Sequence, residues 1–269
     1  MFLYNFLSLA LFDPEQTGHK EEGAGFILEH VQDYVIFEIP PILGIDISIT
    51  FHVVMMWIAS IFLILLFSLS KRQMGMVPRG MGNLLEAIVL FIKTDILDPY
   101  LGKDGMRFAP YLLTAFFFVL VCNLLGLIPG AGTATSNLAV TGSLAVLTFF
   151  IGQSAGIRKK GFGKYMKSFL PPGVPGFVAP LVFFIEFIGV FTKHFALAIR
   201  LFANMMADHL IVFTFLGLII IFKSFLVALL AVPGAVALEL LAVLIALIQA
   251  YIFTMLSAVF IGIALSEEH

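Results

Sequence analysis

Apolar residues run through this chain in long blocks. They do not alternate as in a half-buried strand, nor form the narrow stripe of a surface helix. The block FHVVMMWIASIFLILLFSL (51–69) matches the ~20 residues that a helix needs to cross a bilayer, and it stops at the basic SKRQ. Residues 109–128 and 138–157 form two more such blocks, joined by the tight uncharged stretch PGAGTATSN. Between the first block and these, residues 80–100 mix apolar runs with Glu86, Lys93 and Asp95. That pattern predicts an amphipathic helix lying at a membrane interface.

The C-terminal third has unusual lengths. Residues 177–222 are almost wholly apolar, as are residues 224–265, which are broken only by PGA at 233–235. At ~1.5 Å per residue, a helix over the first run would be roughly 69 Å long, against a hydrocarbon core of about 30 Å. Each run either folds back on itself or forms one steeply tilted helix. The lack of a strong breaker in the middle of 177–222 favours tilt. The predicted fold is an all-α integral membrane protein with five crossings and an interfacial helix, the last two helices long and strongly tilted. Three regions follow: an acidic N-terminal segment (1–50), a first span with interfacial helix and helical hairpin (51–176), and a long helix pair (177–269).

Composition agrees with the pattern. The chain is 61% hydrophobic and 12% charged, where a soluble domain is nearer ~45–50% and ~25%. Charge placement then sets topology, because Lys and Arg favour the cytoplasmic side. Lys71, Arg72, Arg79, Lys93, Lys103 and Arg107 occupy one connection, and Arg158, Lys159, Lys160, Lys164 and Lys167 another. The N-terminal region and the other turns hold only Lys20 and Lys223. An N-terminus outside and a C-terminus in the cytoplasm satisfy this. The opening MFLYNFLSLALF has no basic flank and is too short to span, so it is predicted to lie at the interface. Cys122 is the single cysteine, which rules out an internal disulfide and a cysteine-based metal cluster. No nucleotide-binding loop, zinc-protease motif or nucleophile elbow is present. The basic connection 158–176 suits anionic lipid or a soluble partner, not nucleic acid.

Ionisable residues at membrane depth are rare and mark ion paths by default. Glu186, Lys193, Arg200, Asp208 and His209 lie on the first long run, and Glu239 and Gln249 on the second. At ~100° per residue, Lys193 falls within about 20° of Arg200, and Glu186 and Asn204 within about 40°. These four form a polar stripe, and His209 faces roughly the opposite way. Two polar faces on one helix fit two separate aqueous paths better than a single pore. Structural readings stand beside these. Lys193 and Glu186 can snorkel or pair, Asp208 can sit solvated near the far interface, and His209 can be a packing residue. Glu239 can cap an irregular PGA segment. Arg200 can join a salt bridge, although no acid stands at i±3 or i±4.

The segments LAIRLFANMMADHL (197–210) and LIQAYIFTMLSAVFI (247–261) carry a family likeness. They resemble subunit a of the F-type ATP synthase, and VPRGMGNLLEAI, VCNLLGLIPG and TSNLAVTGSLAV extend the resemblance over most of the chain. The resemblance implies a static membrane subunit beside a rotating c-ring of small hairpins, each bearing one membrane carboxyl. It implies further partners in the subunit b peripheral stalk and the whole F1Fo complex, contact with membrane lipid, and no cofactor or metal. Arg200 then matches the family's essential arginine, Asn204 the asparagine after it, and Gln249 the glutamine of the last helix. His209 matches a position that alternates between Glu and His, Glu186 an acid on the cytoplasmic path, and Asn123 an asparagine near the opposite path. Ala242 stands where the family often has Glu or His, and Glu239, one turn away, is the candidate replacement. A bacterial plasma membrane is the expected location, with the mitochondrial inner membrane as the alternative. The ion, proton or sodium, is chosen by the rotor carboxyl on another chain.

Overall fold

The computed structural model describes residues 35–38, 48–71, 80–128, 132–170, 173–222 and 224–266. Most of the acidic N-terminal segment, including the opening stretch predicted to lie at the interface, lies outside them. Two compact units are distinguished. The larger takes in Asp33–Met206 and Ala242–His269; the smaller is described over residues 207–222 and 224–241.

A short antiparallel ribbon, β1 (Val35–Phe37) with β2 (Ile49–Thr50), leads directly into α1 (Phe51–Lys71). The predicted interfacial helix is α2 (Met81–Ile92), followed by a π turn over Lys93–Leu97 and a short α3 (Asp98–Leu101). Next come α4 (Gly105–Gly126), α5 (Leu138–Lys160) and α6 (Phe162–Lys167). The chain closes with α7 (Ala179–Phe222) and α8 (Phe225–Leu265). Among the described residues, five helical stretches are long and apolar enough to cross a membrane: 51–70, 81–126, 138–160, 179–219 and 225–265.

Two expectations change. The basic stretch 158–176 is not simply a connection: α5 runs on to Lys160, and α6 forms after the turn at Gly161, whose φ of 79° suits glycine. The run 224–265 is not broken at PGA. Helix α8 passes through Pro233. Proline fixes φ near a helical value but removes its N–H bond and crowds the carbonyl four residues back, costs that membrane helices accommodate. An irregular segment for Glu239 to cap is therefore absent.

The core of the larger unit forms where α2, the π turn and α4 meet α7 and α8. Ile92, Ile96, Leu112, Leu197, Leu201, Phe253 and Ile261 are all buried there. The outward faces stay apolar, with Leu84, Leu90 and Phe91 exposed on α2, as a lipid-facing surface allows. Tyr251 of α8 donates its hydroxyl to Asp95 in the π turn at 2.6 Å, which ties the two elements together. At the end of the unit that carries the basic clusters, Lys159 Nζ meets Asp104 Oδ2 at 2.8 Å. The two basic connections thus share one end of the unit, in keeping with the charge asymmetry.

Candidate functional site

Helix α7 has two distinct faces in the larger unit. His194, Leu197, Ala198, Leu201 and Met205 are buried, at the three- and four-residue spacing of one helical face. Lys193, Ala196, Arg200 and Ala203 are exposed on the other side. Arg200 therefore projects away from the core, flanked one turn either way by alanines. Among the described residues no acid lies within 4.0 Å of it, so the salt-bridge reading finds no partner there.

Helix α8 buries mostly small residues: Ala242, Ala246, Ala250, Thr254, Ser257 and Ala258. Small side chains let membrane helices approach closely. Gln249 sits among them, 2% exposed, and its Oε1 accepts a hydrogen bond of 2.7 Å from Asn204 Nδ2. The two amide positions predicted on separate runs are thereby joined. Gln249 Nε2 is buried with no hydrogen-bond partner among the described residues.

Glu186 and Lys193, neighbours on the predicted stripe, are also brought together. Both line a cavity of about 130 Å³, which Gln153, Tyr165 and His194 share. The Tyr165 hydroxyl donates to Gln153 Oε1 at 2.5 Å. Burial pushes the Tyr165 phenol up from its ordinary range, a rise partly offset by that hydrogen bond, so it stays neutral. Sequence reasoning missed Gln153, Tyr165 and His194. Only His194 carried a signal, being another titratable group inside the 177–222 apolar run.

Asn123 has a different set of neighbours. It is fully buried near the end of α4, and its Oδ1 accepts from Thr135 Oγ1 at 2.7 Å. Ser136 beside it contacts His52 Nε2 at 3.2 Å. A β-carbon on Gly126 would collide with Thr133, so glycine there lets the turn lie against α4.

In the smaller unit, Asp208 and Glu239 are partly buried and close enough for their carboxyl groups to interact electrostatically. Asp208 Oδ2 is buried, against the reading of a simply solvated acid. The His209 ring stacks on Phe213 with centroids 6.4 Å apart.

The family model described as ATP synthase A chain matches residues 53–262. The ATP synthase subunit a of Chloroherpeton thalassium is 44% identical over 95% of this chain and 79% of its own length. That of Pelodictyon phaeoclathratiforme is 43% identical over 93% and 78%, and that of Myxococcus xanthus 47% identical over 86% and 78%. With a match over most of its length, a helical membrane fold and the polar positions set out above, the chain belongs to the ATP synthase subunit a family.

Proposed function

We propose that this chain is the static proton-channel subunit of a bacterial F-type ATP synthase, with Arg200 separating two offset half-channels. The observation that carries this is the exposed Arg200 at membrane depth on α7, flanked by alanines and with no acid within 4.0 Å among the described residues. A charge placed there is costly, on the order of 2.5–3.5 kcal/mol on insertion scales. It repays that cost when a carboxyl on another chain passes.

Rotor carboxyls stay neutral against lipid, where an ion is expensive. Beside Arg200 the carboxylate is favoured, so an arriving acid gives up its proton to the cytoplasmic path. Arginine keeps its own proton up to a pKa above ~12. It attracts the carboxylate and blocks proton leakage without relaying protons. The contact must stay wet, since breaking a dry buried pair costs about 3–5 kcal/mol, while one charge crossing 100 mV supplies about 2.3 kcal/mol.

The cavity beside Glu186 and Lys193 serves the cytoplasmic half-channel. His209, Glu239 and Asp208 serve the outer one, with Asn123 near its mouth. Gln249, held by Asn204, keeps one amide donor for water. The offset between the paths makes each proton ride the ring before it leaves, so ion flow becomes rotation. The subunit b stalk holds the chain still, with its N-terminus outside and C-terminus cytoplasmic, and the head supplies the nucleotide chemistry.

Replacing Arg200 by Ala in the assembled complex tests this reading. ATP-driven proton pumping into inverted vesicles should be lost while hydrolysis by the detached head continues. Pumping at the unmodified rate would refute it.

A further inference from the structure

We propose that His194 is the proton-accepting group of the cavity bounded by Glu186, Lys193, Gln153 and Tyr165, holding a proton in transit on its Nε2. This rests on the half-channel reading above and adds to it a residue and an atom.

His194 is 7% exposed, yet it lines the cavity. Its Nδ1 lies 2.8 Å from the carbonyl oxygen of Val190. A carbonyl only accepts, so Nδ1 must carry the hydrogen. In the neutral ring, Nε2 is then a bare lone pair. That atom is buried and has no hydrogen-bond partner among the described residues. A buried acceptor left empty is unfavourable, and the cavity of about 130 Å³ that the residue lines is large enough to hold water beside the ring, a side-chain adjustment away from Nε2.

The surroundings fix the ring. Phe149 of α5 meets it edge-on at 5.3 Å, and Phe260 of α8 lies 4.8 Å away. Of the titratable groups lining the cavity, Glu186 and Lys193 come from α7 and Tyr165 from α6, while α5 and α8 contribute none. One negative and one positive side chain thus share the cavity with the ring.

The proton step balances simply. Water that has received a proton from the rotor acid donates it to Nε2, forming an N–H bond and an imidazolium. That N–H then passes the same proton to a second water leading out. Because Nδ1 stays committed to Val190, the proton arrives and departs by one nitrogen. His194 is thus a holding point beside the path, not a wire through it.

The test uses the whole complex in vesicles stripped of the head, reading passive proton flux against pH on the cytoplasmic side. His194→Phe keeps an aromatic ring between Phe149 and Phe260 but removes the lone pair. Flux should fall, and its dependence on cytoplasmic pH should flatten. Unchanged flux with an unchanged profile would overturn the proposal. If the variant does not assemble, nitrogen NMR of the unmodified complex decides: the His194 Nε2 signal should move between its bare and protonated positions as pH falls, and a signal that never moves overturns it. An Arg200→Ala complex that still pumps sinks the half-channel reading, whereas a silent His194→Phe beside a dead Arg200→Ala sinks only the histidine.

Discussion

Asn204 donates from Nδ2 to Oε1 of Gln249 over 2.7 Å, joining α7 to α8 one turn beyond Arg200. The bond crosses between residues far apart in sequence and sits in a face of alanines. It sets the register of the two long helices at the level where Arg200 projects. Neither amide can be removed without stranding the other.

A double-mutant cycle measures that link. Asn204→Leu alone leaves the buried Gln249 amide without its partner, a loss of about 1–3 kcal/mol, while Gln249→Leu strands the half-buried Asn204 amide and should cost less. The double Leu variant should cost less than the sum, with a coupling of roughly 1 kcal/mol, the scale of interhelical hydrogen bonds in membranes. Thermal stability of the purified complex reads this out, and strict additivity would show that the bond does not form.

Glycine spacing gives a prediction on packing alone. A β-carbon on Gly262 would stand 2.5 Å from the Tyr100 carbonyl oxygen, whereas one on Gly142 meets nothing within 4 Å. Gly262→Ala must push backbone from backbone, and overpacking of this kind costs about 1–3 kcal/mol. Gly142→Ala should be neutral or slightly stabilising, since alanine is the better helix former. Equal yields and melting temperatures for the two variants would remove the close approach of α8 to α3.

Glu239 lies within electrostatic range of Asp208, and no break in α8 needs it as a cap. On the proposed reading it is a proton-carrying carboxyl of the outer half-channel. Glu239→Gln should slow ATP synthesis several-fold by the removal of an acid–base group, and Glu239→Asp should retain most of the rate. Synthesis assays under a fixed proton gradient separate the two. Full rates in both would return Glu239 to a structural part.

The Lys159–Asp104 bridge should matter little to stability. Both side chains are well exposed, at 37% and 42%, and exposed pairs contribute under about 1 kcal/mol. Asp104→Asn should leave the melting temperature within a degree or two, with any effect shrinking as salt is raised. A large, salt-independent loss would mean that the bridge is shielded in the assembled complex.

The crossings and the polar stripe were legible in the residues themselves. The number and length of apolar blocks depend on local transfer energy, summed residue by residue, so the five membrane-length helices appear in the one-dimensional pattern. Helical geometry likewise placed Glu186 and Lys193 together. Composition could not say which face of α7 turns inward, because a face packed on protein and a face bathed in lipid are equally apolar. Arg200 is exposed and His194 buried, six residues apart, only because α7 meets α5 and α8 through the histidine's side. The bond from Asn204 to Gln249, the one from Thr135 to Asn123 and the tie from Tyr251 to Asp95 are similarly matters of register between distant segments. Pro233 makes the same point from the backbone: its residue type signals a break, but the rest of α8 is favourable enough to carry the helix past a missing N–H bond and a crowded carbonyl. The sequence alone determined which segments belong in the membrane and which charge sits there at a cost. The tertiary structure decided which polar groups meet, because pairing depends on helix rotation and sliding that hydropathy does not encode.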